Sequence, residues 1–158
     1  MLLTAFDAGT PDLGWYVVDD GVMGGRSRGS FRIEAGQLLF TGVTNTKGGG
    51  FSSIRSESRP LDLSAFEGLR LQLAGDGRRY IFRIETADGT AYWAEFATEP
   101  AGIRSERKLP FGRFRPHFRG RWLDGPALDP GAVTSLGLMI YDGLDGPFRL
   151  EVDRIEAY

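Results

Sequence analysis

Two runs of alternating apolar and polar residues meet in the stretch Tyr80-Ile-Phe-Arg-Ile-Glu-Thr-Ala-Asp-Gly-Thr-Ala-Tyr-Trp-Ala-Glu-Phe96. On both sides of Asp88-Gly89, apolar side chains recur at every second position, which is the pattern of half-buried strands. An Asp-Gly pair between two such runs is a strong signal of a tight turn. The stretch therefore predicts an antiparallel β-hairpin.

The same period of two extends through most of the chain. Turn signals such as Glu34-Ala-Gly36 and Asp145-Gly-Pro147 separate the runs. No window has a sustained helical period, although residues 61–66 are compatible with one helical turn. About eight to ten short strands predict an all-β fold, a sandwich or a barrel. We see no linker and no repeat, and predict one jelly-roll domain over residues 1–158. The other runs include Phe31/Ile33, Leu69/Leu71/Leu73, Leu136/Leu138/Ile140 and Phe148/Leu150/Val152.

Composition is that of an ordinary folded protein. Of 158 residues, 41% are hydrophobic and 12% aromatic, and the formal net charge of −2 indicates no class of partner. The lack of cysteine excludes disulfides and thiolate chemistry. The first residues do not resemble a signal or transit peptide, and no apolar run approaches the roughly 20 residues that span a bilayer. These features predict a bacterial cytoplasmic protein without membrane insertion.

Two glycine-rich segments lie between predicted strands, within Trp15–Ser27 and at Gly48–Phe51. Glycine tolerates positive φ and permits close approach of another backbone or a ligand. We predict that the two segments are neighbours and that at least one glycine of Gly24-Gly25 or Gly49-Gly50 has a positive φ. The segments form either a packed corner or a shallow recognition surface.

The residues that suggest catalysis have structural alternatives. Gly25-Arg-Ser-Arg-Gly29 matches the G-x-S-x-G nucleophile elbow, but that motif needs a following helix and a histidine partner. Here a strand is predicted after Ser27, and the one histidine, His117, lies in a distant segment that we interpret as a loop. Paired acids such as Asp19 and Asp20 can serve acid–base chemistry or hold turns through backbone amides. We predict no enzymatic activity.

Metal binding has weak support in the sequence. Calcium needs six to eight oxygen ligands, and the candidate acids Asp142, Asp145, Glu151 and Asp153 match no calcium loop. One histidine without cysteine gives poor support for zinc. We predict no metal and no cofactor.

One segment, residues 104–121, differs in charge from the rest, with seven basic residues against one acid. Such a patch can bind nucleic acid or an acidic protein surface, or its arginines can pair with acids along a solvated edge. Because no RNA-binding motif accompanies it, the patch favours an anionic protein partner over nucleic acid. The basic residues are Arg104, Arg107, Lys108, Arg113, Arg115, Arg119 and Arg121.

Four aromatic residues offer ring faces on which a sugar could stack, or else they pack the core and its rim. Alternation places Tyr92 and Trp93 on opposite faces of one strand, so one of them is predicted to point outward. The other two aromatic residues are Trp15 and Trp122.

Several motifs follow one another along nearly the whole chain. They are Trp15, Asp20-Gly-Val-Met-Gly-Gly-Arg-Ser27, Leu39-Phe-Thr-Gly42, Asn45 with Gly49-Gly-Phe-Ser52, Gly75-Asp-Gly-Arg78 with Tyr80, Leu109-Pro-Phe111, and Gly146-Pro-Phe-Arg-Leu-Glu151 running to Tyr158. In these motifs the sequence resembles the complex I intermediate-associated protein 30 family, which comprises a mitochondrial assembly factor and bacterial relatives. The sequence departs from the family pattern at Asp19, where the family usually has Asn, and at Ile103, where it has Trp.

The resemblance implies a galactose-binding-type jelly roll and a non-catalytic role in assembling respiratory NADH:ubiquinone oxidoreductase. We therefore predict protein partners, respiratory-complex subunits among them. The alternative is a carbohydrate-binding module whose ligand is a saccharide or polyol. The candidate binding residues are Asp20, Met23, Arg26, Ser27, Asn45, Phe51, Ser52, Arg55, Arg78 and Trp93.

Overall fold

A computed structural model describes residues 1–118 and 121–158, without the side chain of Val22. Within these residues the chain forms strands joined by turns and three short 3-10 segments. No described helix is long and apolar enough to cross a bilayer. The strands are β1 (Leu2–Thr4), β2 (Tyr16–Asp19), β3 (Arg28–Glu34), β4 (Gln37–Thr44), β5 (Ser52–Arg55), β6 (Gly68–Ala74), β7 (Arg79–Thr86), β8 (Ala91–Ala97), β9 (Arg104–Pro110), β10 (Arg115–Phe118), β11 (Arg121–Trp122), β12 (Val133–Ile140) and β13 (Gly146–Ala157).

The strands form two antiparallel sheets. The six-stranded sheet has the order β3-β4-β13-β6-β9, and β1 also pairs with β13. The seven-stranded sheet has the order β11-β10-β8-β7-β12-β5-β2. The predicted all-β sandwich is confirmed, with more strands than the sequence indicated because several are only two to four residues long.

The core lies between the inner faces of the two sheets. Leu69, Leu71 and Leu73 of β6 are fully buried, as are Phe82 and Ile84 of β7. Each such side chain stabilises the fold by roughly 1.5–3 kcal/mol relative to exposure. The apolar residues that recur at every second position in the sequence are thus those on the inner face of each strand.

The hairpin predicted at Asp88-Gly89 joins β7 to β8, with Gly89 at φ +84°. The carboxylate of Asp88 accepts hydrogen bonds from the Thr86 hydroxyl (2.7 Å) and the Thr90 amide (3.0 Å). These hydrogen bonds lower the pKa of Asp88, and the bond from the Thr86 hydroxyl has the largest effect.

One local prediction is wrong, and one possibility left open by the sequence is not realised. Residues 61–66 form no helix: Leu61 bridges to Val133, and the Phe66 amide donates to the Leu63 carbonyl in a turn. His117 lies in β10 and not in a loop. The basic segment forms three edge strands: β9 is at one edge of the six-stranded sheet, and β10 and β11 are at one edge of the seven-stranded sheet. Long arginine side chains fit such edges because their stems cover the sheet while their charges reach water.

Candidate functional site

The two glycine-rich segments meet in one corner of the sandwich. Gly24, Gly48 and Gly50 have φ values of +79°, +84° and +110°. A Cβ atom on Gly48 would lie 3.0 Å from the carbonyl oxygen of Gly24. Both the predicted proximity and the predicted positive φ are confirmed.

Asp20 is the centre of this corner and is completely buried. Its carboxylate accepts hydrogen bonds from the amides of Ser27 (2.9 Å) and Gly50 (2.7 Å). A Cβ on Gly25 would lie 2.3 Å from Asp20 Cγ, and one on Gly49 would lie 2.6 Å from Asp20 Cβ. Only glycine fits at positions 25 and 49, because a Cβ at either position would clash with Asp20. The hydrogen bonds from two backbone amides favour a structural role for the Asp20 carboxylate.

The polar neighbours of Asp20 complete the corner. The buried Ser27 hydroxyl accepts from the Asn45 amide (2.9 Å) and donates to the Asn45 carbonyl (3.3 Å). The Asp19 carboxylate accepts from the Ser52 hydroxyl and from the amide of Gly29. Ser27 leads directly into β3 and is bonded to backbone, which is not the arrangement of a nucleophile elbow.

Arg78 lies elsewhere, beneath the loop that precedes β13. Its guanidinium donates to both carboxylate oxygens of Asp142, at 2.8 and 2.6 Å, and these bonds raise the pKa of Arg78. It also donates to the Thr44 hydroxyl and to the carbonyls of Leu144, Gly146 and Pro147. These contacts favour a structural role for this candidate as well.

The acids considered for calcium have protein partners. Asp142 is held by Arg78, and Asp145 accepts from the Thr46 amide at 2.7 Å. Glu151 and Asp153 both pair with Arg104. Within residues 1–118 and 121–158, no group of three or more His, Cys, Asp or Glu side chains could hold a metal ion.

Several basic side chains of residues 104–121 form ion pairs or hydrogen bonds at the edges of the sheets. Besides the Arg104 pairs, Arg107 pairs with Glu99, and Arg113 donates to the carbonyl of Glu95 at 2.7 Å. Lys108 lies over the ring of Tyr158. The predicted member Arg119 is outside the described residues. These contacts favour edge packing over a free anion-binding patch.

A groove on the outer face of the seven-stranded sheet brings together four candidates, Met23, Phe51, Arg55 and Trp93. Its volume is about 720 Å³, within the range of ligand sites. We call it the outer groove. It is lined by Met23, Phe51, Arg55, Arg83, Asp88, Gly89, Thr90, Ala91, Trp93, His117, Phe118, Leu123, Met139 and Tyr141.

The floor of the outer groove is a second apolar cluster, separate from the core. It contains Phe51, Ile81, Trp93 and Met139, with Tyr141 packed against it. Sequence reasoning missed Arg83, His117, Met139 and Tyr141, because they come from β7, from β10, and from the end of β12 with the residue after it, which are far apart in the sequence. A signal was nevertheless present, since Ile81 and Met139 are apolar at positions where alternation calls for a polar, solvent-facing residue.

Trp93 points outward and Tyr92 lies in the core, as alternation predicted. However, Trp93 is only 9% exposed. Its ring stacks on His117 with centroids 3.4 Å apart, while Trp122 and Tyr141 meet it edge-on at 6.0 and 6.1 Å. One ring face is therefore covered by protein, which leaves less of Trp93 for a sugar than an open stacking platform would offer.

Two arginines carry the positive charge of the outer groove. Arg83 is buried and pairs with Glu85 at 3.0 Å. Arg55 is half-buried, and its only hydrogen bond in the described structure is a 3.4 Å contact to the Ser53 hydroxyl. Burial, and secondarily the nearby charge of Arg83, lower the pKa of Arg55 to about 10. Arg55 thus remains charged at pH 7. The Glu85 carboxylate acts on it at longer range, but Arg55 forms no salt bridge among the described residues.

His117 makes stability depend on pH, because burial lowers its pKa from 6.5 to about 4. Between pH 6.5 and about 4, His117 is protonated in the unfolded chain but not in the folded protein. The free energy of unfolding is therefore at its full value above pH 6.5 and decreases as the pH falls toward 4. We expect the wild type to lose free energy of unfolding more steeply than His117→Phe, by up to about 1.4 kcal/mol per pH unit. Urea unfolding between pH 6.5 and 4.5 measures this, and equal slopes would contradict it.

Comparison with known proteins agrees with this fold. The model of the family "Complex I intermediate-associated protein 30" matches residues 4–152. An uncharacterized protein of Schizosaccharomyces pombe is 30% identical over 89% of this chain and 75% of its own length. The Drosophila melanogaster protein named "Complex I intermediate-associated protein 30, mitochondrial" is 28% identical over 95% of this chain, which spans only 60% of that relative.

A solved structure shares the architecture. The Family 11 carbohydrate-binding module from Clostridium thermocellum, described in complex with a β-1,3-1,4-mixed-linked tetrasaccharide, superposes with a TM-score of 0.64. It is 16% identical, and the match covers 96% of this chain and 92% of the module. At that identity the likeness establishes the fold alone, a β-sandwich of the galactose-binding-like jelly-roll type.

The predicted bacterial cytoplasmic location is contradicted by these relatives. The named relatives from fly, mouse and nematode are designated mitochondrial proteins. Composition and the first residues of a chain carry little information about location, which explains the error. The family model, in contrast, covers nearly all of the sequence motifs described above. The chain belongs to the complex I intermediate-associated protein 30 family.

Proposed function

We propose that this protein is a non-catalytic binding module that assists assembly of a respiratory complex of the complex I type, and that it binds a protein partner through the outer groove. Family membership supports the assembly role. The chemistry of the groove supports a protein as the ligand.

The observation that carries the proposal is the apolar rim of the outer groove. Met23, Phe118 and Leu123 line it and are 55%, 61% and 39% exposed. The floor below them is aromatic and aliphatic. A groove that combines an apolar floor with exposed apolar side chains is typical of protein interaction sites.

The titratable groups of the groove support a non-catalytic role. The lowered pKa of His117 keeps it neutral at pH 7, and its ring is stacked on Trp93. Asp88 is held by its own hairpin. The hydroxyls beside Asp88 belong to the same hairpin and hydrogen-bond to its carboxylate.

The test is affinity capture of the tagged protein from its native host, with the captured proteins identified by mass spectrometry. We expect subunits of NADH:ubiquinone oxidoreductase in the wild-type sample. Met23→Glu with Leu123→Glu should reduce their recovery at least tenfold without changing the Tm. The matched control is Ile103→Glu, which changes a side chain that is 50% exposed and outside the groove.

Either of two results would contradict the proposal. Unchanged capture by the double variant would place the binding site elsewhere. Capture of proteins unrelated to respiratory complexes, lost in the double variant, would retain the groove and remove the assembly role.

Saccharide binding is the second candidate function, favoured by one observation. Trp93, Trp122 and Tyr141 lie together on one face of a sheet, and the fold is that of carbohydrate-binding modules. The stacking of His117 on Trp93 weighs against it. Titration calorimetry with mixed-linked β-glucan oligosaccharides tests it directly, with Trp122→Ala as the variant that should abolish any heat of binding.

A further inference from the structure

We propose that the outer groove recognises an acidic residue of its partner, an aspartate or glutamate flanked by apolar residues, and that Arg55 binds its carboxylate. This inference rests on the proposed function and specifies the chemistry of the partner segment.

The first argument is the distribution of ion pairs around the groove. Its described lining residues include two arginines, and Arg83 forms a salt bridge with Glu85. The one acid of the lining, Asp88, is held in its hairpin by Thr86 and Thr90. Glu85 acts on Arg55 only at longer range, so Arg55 is the arginine of the described lining that forms no salt bridge.

The second argument is the partial burial of Arg55. Removing a cation from water is unfavourable unless the cation is paired, and Arg55 has only the long contact to Ser53. Across the sheet, Arg55 is opposite Tyr16 on β2 and Gly137 on β12, neither of which supplies a carboxylate. A partner's carboxylate would provide a direct ion pair, with the bidentate hydrogen bonds that Arg forms.

The third argument is the position of Arg55 beside Arg83. Gly137 is buried and lies opposite Arg55 on one side and Arg83 on the other. A Cβ at Gly137 would lie 3.3 Å from Arg83 Cβ and 3.5 Å from Arg55 Cγ. Glycine therefore lets both arginine stems pack closely against β12, and both side chains line the groove that a partner's carboxylate would enter.

The apolar surroundings define the rest of the ligand. Met23 and Leu123 on the rim and Phe51 and Met139 on the floor suit aliphatic or aromatic side chains next to the acid. A polypeptide supplies such neighbours, whereas a free sugar acid or a small carboxylate would leave the rim uncovered.

The experiment uses a bead-displayed library of random heptapeptides and the purified full chain. We expect selected peptides to be enriched in Asp or Glu beside apolar residues. Arg55→Gln should bind such a peptide at least tenfold more weakly, while Arg59→Gln, which removes an exposed arginine paired with Glu57, should bind as the wild type does. Arg55→Glu should instead prefer the same peptide with Lys in place of the acid.

Thermal melting distinguishes recognition from a structural role. Because Arg55 is half-buried and forms no salt bridge with the described residues, Arg55→Gln should melt at the same temperature as the wild type or higher. A lower Tm with binding reduced only in proportion to unfolded protein would overturn the proposal. Selection of apolar peptides without an acid would also overturn it and leave the proposed function intact. Failure to select any peptide, with subunit capture also unaffected by the rim variants, would count against both.

Discussion

Replacing Asp20 with alanine is expected to lower the free energy of unfolding by about 4 kcal/mol. The carboxylate is completely buried and accepts hydrogen bonds from the amides of Ser27 and Gly50. Without it, both amides lose their partner where water cannot replace it, and each such loss costs roughly 1–3 kcal/mol. The closely packed Gly25 and Gly49 would also face a cavity.

Urea unfolding followed by tryptophan fluorescence measures this effect. The matched control is Asp145→Ala, which also removes a carboxylate bonded to a backbone amide, that of Thr46, but at an exposed site. We expect the control to lose much less free energy of unfolding, because water can replace the exposed carboxylate as the partner of the Thr46 amide. If the two variants were equally stable, Asp20 would not hold the corner, and a binding role for it would regain support.

Arg78→Ala is expected to lower the free energy of unfolding by about 4 kcal/mol, because it breaks a buried ion pair from one side. The side chain of Asp142 would remain buried with an uncompensated charge. The carbonyls of Leu144, Gly146 and Pro147 would lose a shared donor at the entry to β13. Arg78→Lys should recover only part of the loss, since a single ammonium cannot reproduce the planar fork.

The control for this variant is Arg59→Ala. Arg59 pairs with Glu57 at 2.8 Å, a distance similar to that of the Arg78 pair, but both partners are exposed. We expect a change of about 0–1 kcal/mol for the exposed pair. A small loss in Arg78→Ala, comparable with the control, would show that the loop before β13 does not depend on this guanidinium.

Much of the fold could be predicted because its signals are local. Alternation in β6, β7, β8 and β12 reports which side chains enter the core, and Asp88-Gly89 fixes one hairpin through the positive φ of a single glycine. Sheet order is not local. The pairing of β13 with β4 and of β5 with both β2 and β12 joins segments far apart in sequence, so periodicity does not specify these pairings.

The candidate site could be predicted only in part, for a related reason. Asp20 was identified by its motif, but its role depends on two backbone amides, 7 and 30 residues away, which have no side-chain signature. The outer groove combines residues from β5, β7, β8, β10 and β12 with Met23 and Tyr141. Four of its residues were candidates on other grounds, and only the sheet order shows that they share one surface.

The central position of β13 has a consequence for synthesis of the protein. β13 lies between β4 and β6 and also pairs with β1. Until residues 146–157 have left the ribosome, β4 and β6 each present a row of unpaired backbone groups, which readily pair with other chains. Slow, non-local strand pairing lengthens this exposure. The interval between the emergence of β6 and that of β13 is therefore when the nascent chain is most vulnerable to aggregation.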